Sequence, residues 1–339
     1  MCVADDVPAV RAHREETGMT ALWLILGLLA LVVVLLGSAA VSVASLRRAQ
    51  PDMTVQENLE HSHYAELKDD ILQGVSWLRD QPVRQLYVES YDGLRLHAQF
   101  VPHENAKGTV LLFHGYRSSW TIDFSISLPF YHALGYNLLV ADQRAHGGSE
   151  GRFITFGVRE RYDVLSWVTY LSQMLGERHP MYLAGLSMGA TTVLMASCFD
   201  FPGNVRGILA DCGFTEPYAI MKHVLRRWMP GWIPRWMIGP VLTVTGLAAR
   251  LIAGFGLREA NTVDAVAHAN YPILFVHGKA DTFVPCEMSQ QAYDACTNEK
   301  ELILVENAEH GCSYLVDRPR VQTALEHFLE SHFPKEETV

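Results

Sequence analysis

The pentapeptide Gly185-Leu186-Ser187-Met188-Gly189 restricts this chain more than any other stretch. An apolar run, Met181-Tyr182-Leu183-Ala184, precedes it after Pro180 and reads as a buried strand. The residues after it, Ala190 to Ala196, suit a helix. Strand, sharp turn and helix in that order place a serine at the strand end with its Oγ free. Such a turn is strained, and glycine on either side lets neighbouring backbone approach closely. Taken singly, a serine between glycines is equally a turn residue. The partners that a nucleophile needs must come from elsewhere in the chain.

A serine hydroxyl needs a base, an acid that orients the base, and donors for the developing oxyanion. Downstream, Pro272 to Gly278 has a buried-strand pattern and leads into a loop that carries Asp281. Glu301 to Val305 is another strand, followed by a loop with His310. Both residues sit just past the C-terminal end of a strand, where ligands bind in open parallel sheets. Asp281 is otherwise the start of a turn before Pro285, and His310 a loop cap. Upstream, His114-Gly115-Tyr116 follows the strand Thr109 to Phe113, and Asp142 to Ser149 forms a second Gly-rich loop.

With these four motifs in this order, residues 84 to 334 resemble the α/β-hydrolase superfamily. The resemblance implies an α/β fold with a mostly parallel, doubly wound sheet and a helical lid. It implies Ser187 as nucleophile, His310 as general base and then acid, and Asp281 as the group that fixes the imidazole tautomer. The backbone N–H groups of Tyr116 and Met188 would form the oxyanion hole. In the family the loop of Asp142, Arg144 and His146 is mostly architectural. His114 and His277, before glycines at strand ends, read as structural.

Ahead of this domain, no residue from Thr17 to Leu46 is charged. Residues 21 to 44 would extend roughly 36 Å as a helix, enough for a bilayer core of about 30 Å. Trp23 suits an interface. A cleaved signal peptide is the competing reading, with Ser42-Val43-Ala44 as its cleavage site. The run exceeds a usual signal core, however, and Asp5, Asp6, Glu15 and Glu16 sit in the leader. A retained single-pass anchor is therefore expected. Arg11 and Arg14 precede it and Arg47 and Arg48 follow, and the adjacent pair tips the catalytic domain toward the cytoplasm. The domain's five cysteines form an odd set, which suits free thiols; a disulfide between Cys286 and Cys312, in the loops that carry Asp281 and His310, is the alternative.

The expected organisation is a tail (1–20), a transmembrane anchor (21–45), a juxtamembrane amphipathic segment (46–83) and the hydrolase domain (84–334). In the third part, Thr54 and Glu57 fit a capping box, and Leu67, Ile71, Leu72, Val75 and Leu78 recur at helical spacing. Strands around a turn at Asp92-Gly93 open the domain. Between Asp211 and Pro272 lies more chain than one crossover helix requires, and in this family the lid inserts there, at about 215–261. Ile220, Met221, Val224, Leu225, Trp228 and Met229 make one helical stripe, and Val241 to Phe255 a second.

The lid carries Lys222, Arg226, Arg227, Arg235, Arg250 and Arg258 against Glu216 and Glu259, in a chain of net charge −10. These cations are either solvated helix faces or a basic, aromatic surface for anionic headgroups or an acidic substrate. The lid's tryptophans and methionines suggest an apolar acyl or aryl pocket. The expected activity is hydrolysis of small-molecule or lipid-like carboxylic esters or thioesters through an acyl-enzyme. An aminopeptidase of the same fold would need a carboxylate for the substrate amine, and only Glu216 and Glu259 are available in the lid. A binding protein with little turnover would need none of Ser187, Asp281 and His310. A dehalogenase would need a carboxylate where Ser187 stands. No cofactor or metal is implied, since paired C-x-x-C spacing is absent. Nucleic acid is excluded by the acidic balance.

Overall fold

The computed structural model describes residues 7–48 and 67–334. The Thr54–Glu57 capping box lies outside the described residues.

Eight strands form one sheet: β1 (Arg84–Glu89), β2 (Arg95–Val101), β3 (Gly108–Phe113), β4 (Tyr136–Ala141), β5 (Pro180–Leu186), β6 (Asn204–Asp211), β7 (Ile273–Gly278) and β8 (Lys300–Val305). Their spatial order is β1-β2-β4-β3-β5-β6-β7-β8. β1 and β2 pair antiparallel, as do β2 and β4, and every other pairing is parallel. The central strands β3, β4 and β7 are buried along their whole length, the behaviour of a sheet covered on both faces. The two-residue alternation divides the core. Leu111 and Phe113 face one layer, with Trp167, Leu171 and Val193, while Val110 and Leu112 face the other, with Leu325 and Phe328. The chain passes from β4 back across β3 to β5, so loops diverge at the C-terminal ends of β3 and β5.

The antiparallel opening turns where Asp92-Gly93 requires it, with Gly93 at φ 82°. The amphipathic repeat before it becomes the helix Lys68–Arg79, which buries Ile71, Val75 and Leu78.

The apolar N-terminal run belongs to α1 (Val7–Leu46). Two segments among the described residues are long and apolar enough to cross a membrane, Met19–Leu46 and Arg235–Ala253. The second lies in the lid, whose helices are α2 (Pro217–Trp228) and α3 (Ile238–Ala248), the latter continued by a wider turn at Ala249–Ala253. α3 packs along α1.

The end of α1 is docked on the domain. The Ile154 N–H donates to the Leu46 carbonyl at 2.7 Å, and the Arg48 N–H to the Arg152 carbonyl at 2.9 Å. The Arg48 guanidinium reaches the carbonyls of Gly147 and Ser149. Leu46 is buried among Phe156, Met188 and Phe214.

Candidate active site

Ser187 follows β5 and caps the helix Met188–Ala196 at φ 55°, a conformation costly for any side chain with a Cβ. Two neighbours show why the turn needs glycines. A Cβ on Gly189 would lie 1.7 Å from the Phe113 carbonyl oxygen, and one on Gly185 would lie 2.3 Å from the Gly189 backbone. The helix therefore packs against β3 and β5 at backbone distance. The Ser187 N–H donates to the Asp211 carbonyl at 2.8 Å, tying the turn to β6.

The loops after β7 and β8 bring Asp281 and His310 to this serine. His310 Nε2 lies 2.9 Å from Ser187 Oγ, and His310 Nδ1 lies 2.7 Å from Asp281 Oδ2. An ionised Asp281 accepts from Nδ1–H, which leaves the Nε2 lone pair facing the serine hydroxyl. Burial pushes the Asp281 carboxyl up. Hydrogen bonds from His277 and His310 and the N–H of Val284 outweigh that and hold it well below the usual carboxylate range. Phe283 sets its ring edge-on to His310, with centroids 5.0 Å apart.

His277 has a larger part than its strand-end position suggests. Its Nε2 lies 2.9 Å from the Val284 carbonyl and 3.2 Å from Asp281 Oδ2, and its Nδ1 lies 2.7 Å from Ser289 Oγ. Both Nε2 partners are acceptors, so Nε2 carries a proton. The orienting acid thus has a histidine on each side.

Met188 opens the helix Met188–Ala196, so its N–H belongs to the first turn, which intrahelical bonding leaves without a partner. The loop of Tyr116 is held on both sides. The Gly115 N–H donates to Asp123 Oδ2 at 2.6 Å, the Ser118 hydroxyl to Asp123 Oδ1 at 2.7 Å, and the Arg117 N–H to His146 Nε2 at 3.1 Å. Burial lowers the His146 pKa to about 3, which keeps that ring a neutral acceptor. Burial raises the Asp123 pKa, against the hydrogen bonds it accepts. The expected architectural loop fills such a role: Asp142 bonds His97 and the Gly148 N–H, and Arg144 bridges Asp92 and Asp163. Sequence reasoning missed Asp123, because nothing local connects it to the turn eight residues upstream.

Ser187 opens into a cavity of about 380 Å³, at the small end of ligand pockets of roughly 300–1,000 Å³. Its wall is Tyr116, Phe156, Phe214 and Phe283 from the domain, Ile220, Met221, Val224 and Leu225 from α2, and Val241, Leu242 and Thr245 from α3. Ser38, Val41 and Ser45 of α1 complete it. The lid tryptophans do not contribute, against expectation. Trp228, Trp232 and Trp236 are exposed by 72%, 80% and 67%, because the stripe that faces Ser187 is the Ile220–Val224 side of α2 and the tryptophans sit at and beyond its end. Glu259 pairs with Arg159 at 3.3 Å, and no carboxylate lines the cavity among the described residues. Cys286 and Cys312 are free thiols, as are Cys198, Cys212 and Cys296. Cys212 lies beside Asp281 and His310, close enough for the three to hold a metal ion by distance. Burial keeps that thiol well above its ordinary pKa, which disfavours a thiolate ligand.

Several known proteins resemble this chain in sequence or fold. The uncharacterized protein YqkD of Bacillus subtilis is 28% identical over 236 residues, 68% of this chain and 73% of its own. The lysophosphatidylserine lipase ABHD12 of Danio rerio is 24% identical over 207 residues, 59% of this chain and 50% of its own. Among solved structures, the Pyrococcus furiosus esterase Pf2001 superposes with a TM-score of 0.59 at 20% identity, covering 75% of this chain and 92% of that one. Est1E from Butyrivibrio proteoclasticus, solved with ferulic acid, superposes at 0.54 and 20% identity, covering 74% and 100%. The sequence model of the alpha/beta hydrolase family matches residues 110–325, and the chain belongs to that family.

Proposed function

We propose that this protein is a membrane-anchored serine hydrolase that cleaves carboxylic esters or thioesters of apolar acyl groups. The observation that carries the reading is the relay from Asp281 through His310 to a Ser187 Oγ that faces an apolar cavity. His310 Nε2 takes the hydroxyl proton as Ser187 Oγ attacks the acyl carbonyl. The developing oxyanion accepts from the N–H groups of Met188 and Tyr116. The imidazolium, held by ionised Asp281, returns the proton to the leaving alcohol or thiol, and an acyl-enzyme remains. Water, deprotonated by the same nitrogen, then releases the acid.

The apolar, carboxylate-free lining favours an acyl group over an amino-acid amine, so the peptidase is the second reading. The ABHD12 relative, named as a lipase, points the same way. The length and apolarity of Met19–Leu46 support a retained anchor. The cytoplasm is the proposed side, on the Arg47-Arg48 pair and the free thiols. The test uses the full chain in detergent or vesicles, with aryl esters of increasing acyl length beside amino-acid arylamides. Esters should turn over faster, and a clear preference for the arylamides would replace the esterase reading with the peptidase.

A further inference from the structure

The anchor is part of the active-site wall. We infer that the substrate is a membrane-resident acyl ester that enters from the bilayer tail-first, along α1. This rests on Ser187 as nucleophile and on α1 as a span.

Three observations carry it. First, the end of α1 touches the site directly. The Tyr116 hydroxyl donates to the Ser45 carbonyl at 2.7 Å, the Arg117 guanidinium to the Ala44 carbonyl at 2.6 Å, and Leu46 is buried in the domain. The depth of the helix in a membrane therefore sets the depth of the site. Second, Ser38, Val41 and Ser45 line the cavity from one face of α1. At about 1.5 Å per residue the cavity follows that helix for roughly 10 Å. Arg47 and Arg48 mark where the apolar run ends. Ser45 then lies at the interface, and Ser38 well inside a leaflet whose half of the hydrocarbon core is about 15 Å thick. Third, the cavity is open at that depth. Val41 lines it and is 70% exposed, so its side chain stands at a mouth between α1 and the lid. The lid beside it turns Leu247, Leu251 and Ile252 outward, a face that water would not favour and lipid would.

The geometry matches a lipid in its resting orientation. An ester carbonyl at the headgroup boundary stands level with Ser187, and its chain points down the helix toward Ser38. A lipid ester can then reach the nucleophile without leaving the leaflet, so its tail stays out of water throughout.

The test is a long-chain alkyl fluorophosphonate with a diazirine in its tail, applied to the full-length protein in phospholipid vesicles. After Ser187 is labelled, irradiation should cross-link the tail to α1 between Leu35 and Ser45. In parallel, V41W should lower the ratio of palmitoyl to acetyl aryl-ester turnover roughly tenfold or more, while L24W, on the exposed part of α1, leaves the ratio at the wild-type value. Labelled Ser187 without an α1 adduct, or an unchanged ratio in V41W, overturns bilayer entry and leaves the hydrolase standing. Failure of the wild-type protein to label at Ser187 overturns the hydrolase reading itself, and bilayer entry with it.

Discussion

The Tyr116 hydroxyl donates to the Ser45 carbonyl at 2.7 Å and so joins the loop beside the nucleophile to the last turn of the apolar helix. Tyr116 also stacks on Phe156, with ring centroids 5.0 Å apart. One side chain thus borders the cavity, braces the loop whose N–H is assigned to the oxyanion, and holds the helix.

Ser187→Ala should abolish phosphonate labelling and lower ester turnover by several orders of magnitude, as loss of a nucleophile does in a triad. Mass spectrometry of the labelled peptide and steady-state rates check it. Labelling that persists in the variant would assign the nucleophile elsewhere.

Asp281→Asn should lower turnover on the order of 10⁴-fold while the protein remains folded, because the amide stabilises the wrong His310 tautomer. The lowered carboxyl pKa also has a stability sign. Its contribution is complete above the unfolded value of about 3.9 and is lost only as pH falls through the lower folded value. The Asn variant should therefore lose stability at neutral pH, which thermal melts would show.

Asp123→Ala removes the acceptor for both the Gly115 N–H and the Ser118 hydroxyl. Turnover should fall about 10²-fold, chiefly in kcat, since a loosened loop misplaces an oxyanion donor. A change confined to KM would instead make Asp123 a determinant of substrate binding.

Leu46→Ala should destabilise the domain by about 2–5 kcal/mol, the cost of emptying a buried leucine site. An anchor joined by a loose tether would show a change within about 0.5 kcal/mol. Denaturant melts of the detergent-solubilised chain separate the two.

Asp211 gives a pH dependence of opposite sign. Burial raises its pKa to about 6, against an unfolded value of about 3.9. Its contribution is complete below about pH 4 and is lost as pH rises through about 6. Asp211→Asn keeps an acceptor for Ser313 and should flatten the decline in melting temperature over that interval. An unchanged profile would assign the decline to another buried acid.

Much of the framework is legible in the residues. Gly185, Ser187 and Gly189 dictate a tight turn because local sterics allow little else there. The apolar runs of β3, β5 and β7 declare buried strands, and the lid's two helical stripes are readable from their spacing. The order of the serine, aspartate and histidine loops pointed to a shared rim. Local pattern could not show which way a lid tryptophan faces: Trp228 belongs to an apolar stripe in sequence, yet in space it is largely exposed. Nor could it show His277 against Asp281, or Asp123 under the Tyr116 loop, since both depend on how separate loops meet.

What the sequence determined by itself is the set of short-range commitments: strand, turn, helix, and an apolar run long enough for a bilayer. Hydrophobic periodicity and backbone sterics act over a few residues, so a single chain displays them. Only the tertiary structure decided that Ser38, Val41 and Ser45 share a cavity with Ser187. Residues more than 140 positions apart meet there through packing and hydrogen bonds, and no local pattern encodes those contacts.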